Sequence, residues 1–358
     1  MVRIVSALCA VVALVLTGCS AGGPGTGTDR ATAPGETVTL VLADSFPDSH
    51  PISREGARYF VRRAGELSGG RLRFDYYPSE QLGAPQDFNA LTRAGLVDVA
   101  MISPGYVSSQ LPLSGVADLP GMSPDACSGA SALEPLLGEN GILTRTDFAP
   151  DGLHPLLVGV VPGYEVFTGS GREVALPGDV GGLQLRSAGG TIDLTVSALG
   201  STPVAMPATE MYEAISRGTV DGTVLGPLSA LPYRLDEAAT NVTEGAQLGS
   251  FTITYAIAEP RWAGLPPDLR AALATAGRET TRHLCAVLDQ RTAAARATLA
   301  EGGVRFHRLT PDERRVWDAA LAPVRGQWVE DMEALGLPGR AVLDELERSK
   351  RARTAGGP

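Results

Sequence analysis

Residues 199–222 read LGSTPVAMPATEMYEAISRGTVDG. Residues 203–205 are a short apolar run, Pro207 suits the first turn of a helix, and Ala208, Met211, Tyr212 and Ile215 then recur at i, i+3, i+4 and i+7, the spacing of one helix face. Gly218 stops that helix and residues 219–225 read as the next strand. Strand, helix and strand in such a short stretch form a βαβ unit, which implies a parallel sheet.

The same alternation extends both ways. Upstream, residues 182–186 (GLQLR) read as a strand ending in Arg186, just before Gly189-Gly190 and a helix over 191–199. Nearer the N-terminus, a strand at 37–43 leads to a helix capped by Asp48-Ser49, with Ala57, Phe60, Val61, Ala64 and Leu67 on one face and Gly69-Gly70 as its stop. A strand at 71–77, a short helix at 86–94 and a strand at 97–103 complete a second βαβαβ run, and a helical segment (124–137) and a strand (154–161) separate the two. Downstream, Leu269, Leu273, Ala276, Leu284 and Leu288 lie on one stripe between Pro266 and Gly302; at 1.5 Å per residue that helix is about 50 Å long, enough to cross two lobes. Thr310-Pro311-Asp312-Glu313 is a capping box opening a further helix that should reach Gly336. The expected fold is α/β and two-lobed, with residues 37–160 mainly lobe I and 161–248 mainly lobe II. Residues 249–348 should hold a returning strand, the spanning helix and the C-terminal helices, and 349–358 a polar tail.

Composition narrows the chemistry. With 358 residues, 44% hydrophobic and 20% charged, the chain can bury a substantial core. Lys350 is the only lysine, and it stands near the C-terminus outside any Gly-rich turn; this disfavours a phosphate-binding P-loop and Schiff-base catalysis. A net charge of −10 disfavours nucleic acid as a partner. His50, His154, His283 and His307 have no metal-ligand spacing, no Gly-x-Ser-x-Gly elbow follows a strand, and no complete GxGxxG fills a strand-to-helix turn. No metal, cofactor or catalytic residue is expected. Arg186 is the informative side chain: it stands at the carboxyl end of a parallel strand, where ligands of open α/β sheets bind, and a guanidinium can grip a carboxylate with two parallel hydrogen bonds. A surface salt bridge is its ordinary alternative.

Residues 74–83 (FDYYPSEQLG), 94–100 (AGLVDVA), 182–186 (GLQLR) and above all 199–222 resemble, in order and spacing, the solute-binding proteins of tripartite ATP-independent periplasmic (TRAP) transporters. The resemblance implies two α/β lobes closing over an organic acid, a long helix spanning both, and Arg186 as the clamp on the ligand carboxylate. It also implies integral membrane subunits as partners, transport driven by an ion gradient, and a monomeric receptor. This chain departs from the pattern at several positions. Glu165 stands where many members carry a second arginine, Leu225 replaces a polar contact, and Ser103 and Tyr106 stand where sialic-acid binders place charged residues. The expected ligand is therefore a monocarboxylate with an apolar or aromatic body, since a richer ligand would leave polar groups without partners. Phe46, Tyr106, Tyr164, Met206 and Leu225 would contact that body and Ser103 and Thr223 would line the same site, with a hydrogen bond from Thr223; ordinary core packing is the alternative for each. Two other readings stay open, a secreted hydrolase-like lipoprotein enzyme and a binding lipoprotein that serves signalling.

Residues 1–18 combine Arg3 with an apolar run over 4–16 and end in Leu16-Thr17-Gly18, before Cys19. The run is shorter than a membrane-spanning helix and reads as an export signal, and Leu-Thr-Gly-Cys resembles the bacterial lipoprotein signal, in which the cysteine is lipidated. Cys19 would then anchor the protein at the outer face of the cytoplasmic membrane through a flexible tether over 19–36 rich in Gly, Thr, Pro and Ser. Cys9 leaves with the signal, so Cys127 and Cys285 are the thiols left in an oxidising compartment. They are expected either to pair or to stay as two buried thiols.

Overall fold

Four apolar runs between residues 38 and 161, with one strand that returns from residues 251–258, build a five-stranded sheet. Its order is β2-β1-β3-β10-β4, with β1 (Val38–Ala43), β2 (Leu72–Tyr77), β3 (Val99–Ile102), β4 (Leu153–Val161) and β10 (Phe251–Ala258). β1 runs parallel to β2 and β3, whereas β10 is antiparallel to both β3 and β4. The computed structural model describes residues 35–169 and 171–356; the expected signal, the lipid-anchor Cys19 and most of the tether lie outside the described residues.

A second sheet of order β11-β9-β5-β8-β6-β7 forms lobe II. It contains β5 (Glu165–Thr168), β6 (Gln184–Ser187), β7 (Thr202–Ala205), β8 (Gly222–Leu225), β9 (Asn241–Glu244) and β11 (Arg305–Arg308). The opening stretch of sequence supplies its edge strand, β7: β6 runs parallel to both β7 and β8, and a short helix over Met211–Ser216 connects β7 to β8. The chain passes between the sheets at residues 162–164, from β4 to β5, and again at 245–250, from β9 to β10. The fold is two-lobed α/β.

Three helices, numbered here in chain order, matter for the site: α1 (Ala126–Leu137), α2 (Glu259–Ala263) and α3 (Pro267–Glu301). α3 is the long helix expected from Pro266, 35 residues or about 52 Å. Leu269, Leu273, Ala276, Leu284 and Leu288 are its buried stripe. Gly277 lets it lie directly on lobe I, since a Cβ there would stand 1.9 Å from the Leu156 carbonyl oxygen of β4. Toward its other end Arg296 reaches Glu165 of β5 and Glu244 of β9 in lobe II. α1 is tied to α3 twice. The Asp289 carboxylate accepts from the backbone N–H groups of Ala126 (2.6 Å) and Cys127 (3.2 Å), and Cys127 and Cys285 are bonded with their Cα atoms 4.7 Å apart.

Several expectations need correction. The first long helix is capped by His50, whose Nδ1 accepts from the Ile52 N–H at 3.2 Å, because Asp48 instead turns its carboxylate toward Ser53 and Arg58. The helix expected from Thr310 to Gly336 is two, Pro311–Leu321 and Pro323–Ala334, because Pro323 lacks the N–H needed to continue the first. The capping box at Thr310 and Glu313 is present. Residues expected as a polar tail instead continue a helix over Gly339–Gly356. No helix among the described residues is long and apolar enough to cross a membrane.

Candidate ligand-binding site

Arg186 occupies the third position of β6, between Thr223 of β8 and Val204 of β7. Flanked on both sides, its side chain has no route to solvent along the sheet, and it is completely buried. Nε and Nη2 both donate to the Met206 carbonyl, at 3.0 and 2.7 Å, and Nη2 also reaches the Tyr106 hydroxyl at 3.4 Å. Nη1 is buried and has no hydrogen-bond partner. Asp193, a nearby acid, turns to Ser187 instead, and among the described residues no carboxylate makes an ion pair with Arg186. A guanidinium taken out of water without a counter-charge is costly. This one therefore favours an incoming anion.

Tyr106 supplies a second donor. Burial pushes its phenol above the usual range, so it keeps its proton. Its oxygen already accepts from Arg186 and faces the Ala208 amide, which leaves the hydroxyl proton to donate elsewhere. Arg186 Nη1 and the Tyr106 hydroxyl are thus two donors available on groups that touch through Nη2. Ser103, just after β3, has a buried hydroxyl oxygen without a partner.

A group of aromatic rings is centred on Phe251. Its ring lies 5.4 Å from Tyr106 (edge to face), 6.4 Å from Phe46 and 6.4 Å from Tyr164, the last nearly parallel. His50 stands 4.5 Å from Phe46 and 5.8 Å from Tyr233. Burial lowers the His50 pKa to about 3. The ring is neutral, and since Nδ1 accepts from Ile52, Nε2 carries the proton and donates to Ser229 Oγ at 3.0 Å. The loop holding Phe46 is fixed by Asp44, whose carboxylate accepts from the Phe46 N–H (3.0 Å), Tyr76 (2.8 Å) and Tyr255 (2.9 Å).

The two lobes meet around this group. Gly189, at φ 93°, brings lobe II so close that a Cβ would stand 2.6 Å from the Gly105 carbonyl oxygen of lobe I, which gives the glycine pair after Arg186 a physical reason. Thr191 donates to Gly115 O at 3.0 Å. Thr209 donates to Glu80 at 3.2 Å from across the cleft, and Glu80 is aimed there by two consecutive left-handed residues, Ser79 and Glu80, at φ 57° and 61°.

The candidate residues separate into groups. Arg186, Tyr106, Phe46 and Tyr164 belong to one connected cluster, and Ser103 has a buried free oxygen. Met206 takes part through its carbonyl. Thr223 is fully buried and its hydroxyl donates to the Arg186 carbonyl at 3.3 Å, so it supports the arginine from beneath. Leu225 is core, paired with Glu165 across β8 and β5. Sequence reasoning missed Phe251 and Tyr233; a Gly249-Ser250 turn just before a strand returning to lobe I was the available signal for Phe251.

Glu165 makes no ion pair with Arg186. Its carboxylate accepts from the amides of Gly245 and Ala246, all at 3.1 Å, and lies 3.6 Å from Arg296. Burial outweighs those partners and raises its pKa from 4.5 to about 8. The folded protein thus keeps a proton that the unfolded chain releases above about pH 4.3. Stability from this group is full below that pH, falls as pH rises toward 8 and is level beyond. Asp44 (about 6), Asp118 (about 7) and Asp147 (about 6) are raised for the same reason and act with the same sign. In thermal melts from pH 5 to 8.5, Glu165→Gln is expected to gain on the wild type as pH rises. A wild-type advantage that grows with pH would show an ionised Glu165 paired with Arg296 instead.

Comparison with known proteins agrees with this architecture. The profile of the bacterial extracellular solute-binding proteins, family 7 (DctP), matches residues 42–331. The C4-dicarboxylate-binding periplasmic protein DctP of Rhodobacter capsulatus is 26% identical over 287 residues, 78% of this chain and 83% of that protein. A TRAP solute-binding protein from Rhodoferax ferrireducens T118, in complex with copurified benzoate, superposes with a TM-score of 0.80 at 26% identity, covering 88% of this chain and 98% of its own. Another from Bordetella bronchiseptica, with bound (R)- and (S)-mandelate, gives 0.79 at 25% identity, covering 88% and 99%. With four fifths of its length matched in this way, the chain belongs to family 7 of the bacterial extracellular solute-binding proteins, the receptors of TRAP transporters.

Proposed function

We propose that this receptor binds a monocarboxylate with an aromatic or similarly apolar body. Arg186 Nη1 and the Tyr106 hydroxyl hold the carboxylate, and Phe46, Tyr164 and Phe251 enclose the body. The observation that carries this is the buried Arg186 nitrogen with no acceptor and no protein anion beside it. With Glu165 held by the Gly245 and Ala246 amides, no second arginine among the described residues stands with the rings around Phe251, so a second ligand carboxylate would be buried without a partner. Benzoate and mandelate in the two neighbours support the same class. Exported and anchored through lipidated Cys19, the receptor closes by hinge motion and passes its ligand, as a monomer, to the integral membrane subunits.

The geometry speaks against a hydrolase. His50 and Ser229 are in hydrogen-bond contact, but the imidazole presents an N–H to the serine and accepts a backbone amide at its other nitrogen. It cannot take the hydroxyl proton as a general base in that tautomer.

A thermal-shift series tests the reading with benzoate, mandelate, benzyl alcohol, succinate and glucuronate. A ligand at one hundred times its Kd adds about 2.7 kcal/mol to stability, so the aromatic acids are expected to raise Tm by several degrees. Benzyl alcohol should do nothing, and succinate and glucuronate little. A larger shift with succinate than with benzoate would overturn the monocarboxylate assignment.

A further inference from the structure

Lobe I contains a second cavity, of about 500 Å³, between α1, β4, α2 and α3. It is separate from the cleft. Phe251 pairs with Val161 at one end of β4, whereas the strand residues that line the cavity are His154 to Val158, seven to three residues back, or about 23 to 10 Å at 3.3 Å per residue. Its floor is apolar, formed by Leu137, Leu156, Leu157 and Val158. One wall is aromatic: Trp262 stacks on His154 with ring centroids 4.0 Å apart, and burial lowers the His154 pKa, favouring the neutral ring.

The polar groups on the remaining walls define the ligand. Arg270 and Arg278 project from α3, two turns apart on one face. Among the described residues neither is in an ion pair, and Arg270 Nε is buried without an acceptor. Thr144 Oγ1 is a second buried polar atom without a partner on the same cavity, its residue 8% exposed. Glu139 also lines the cavity, and its charge opposes a second anionic group on any ligand. An apolar floor, a flat aromatic wall, one buried guanidinium N–H without an acceptor and an opposing carboxylate fit a single negative charge on an apolar body.

We propose that this cavity is a second small-molecule site, taking an amphipathic monocarboxylate whose carboxylate is held by Arg270 and whose body lies against Trp262. Its occupancy is independent of the cleft, since the two sites share no residue.

Calorimetric titration of the Arg186→Ala protein, whose cleft lacks its clamp, tests this with 2-naphthoate as probe and 2-naphthylmethanol as its uncharged counterpart. One equivalent of 2-naphthoate is expected to bind, with the alcohol at least tenfold weaker. Arg270→Met added to that background should weaken 2-naphthoate at least tenfold. Ala274→Trp, which fills the cavity from α3 and removes no charge, should abolish binding. Both second substitutions, placed in the protein with Arg186 intact, should leave benzoate affinity in the cleft unchanged, which also shows that they fold. Failure of Arg186→Ala to bind 2-naphthoate, equal binding of the alcohol, or retention of affinity in Ala274→Trp overturns the proposal. None of these three overturning results bears on whether the intact cleft binds benzoate.

Discussion

Arg186→Ala is expected to weaken benzoate binding by at least a hundredfold, with the wild-type and variant proteins compared by calorimetric titration. The guanidinium is fully buried and the Tyr106 hydroxyl is the other donor beside it. Its removal leaves the ligand carboxylate desolvated against an aromatic wall. Losing one partner of a buried charge pair costs about 3–5 kcal/mol, a factor of roughly 10² to 10³·⁵ at 1.4 kcal/mol per decade. Arg186→Lys should recover only part of this, because one ammonium cannot donate twice to the Met206 carbonyl and still present a fixed donor to the ligand. The ligand-free protein behaves differently. There Arg186 carries an unsatisfied buried N–H, so the alanine variant is expected to melt within a few degrees of wild type. A variant that binds benzoate as tightly as wild type would remove Arg186 from the site, and a large loss of ligand-free Tm would make it a structural residue.

The placement of Arg186 was legible because two local signals coincide there: it stands next to last in a strand flanked by parallel neighbours and precedes a glycine pair at which the two lobes' backbones approach closely. Tyr164 and Glu165 show where such reading stops. The sequence identifies Glu165 as the residue in place of a second clamp, but not where its carboxylate goes. Successive residues of an extended chain point to opposite sides, so Tyr164 turning toward Phe251 sends Glu165 to the Gly245 and Ala246 amides. Thr223 is similar, since its hydroxyl is close to Arg186 and donates to the arginine's own carbonyl. Phe251 was hidden for another reason. It lies about 150 residues beyond Tyr106 in the chain, and only the return of β10 into the first sheet, antiparallel between β3 and β4, brings the two rings together. Long-range pairing of this kind carries no local signal.

Removing the bond between Cys127 and Cys285 is expected to be the most destabilising change outside the cleft. It joins residues 158 positions apart, and the chain-entropy relation gives about 5 kcal/mol for a loop of that length. Engineered and native bridges commonly deliver less, and α1 stays pinned to α3 by Asp289 when the bond is gone. A loss of about 3–4 kcal/mol is therefore expected for Cys127→Ser with Cys285→Ser. At an unfolding entropy of about 2.1 cal/mol/K per residue, that lowers Tm by about 5 °C. The unreduced protein should carry no free thiol from these two residues, and reductant should lower the wild-type Tm by the same amount while leaving the double variant unchanged. Benzoate affinity should change little, because the bond lies within lobe I and the groups around Arg186 do not touch it. Two free thiols in the unreduced protein would refute the pairing. A double variant as stable as wild type would show that the Asp289 cap and the apolar packing hold α1 on α3 without it.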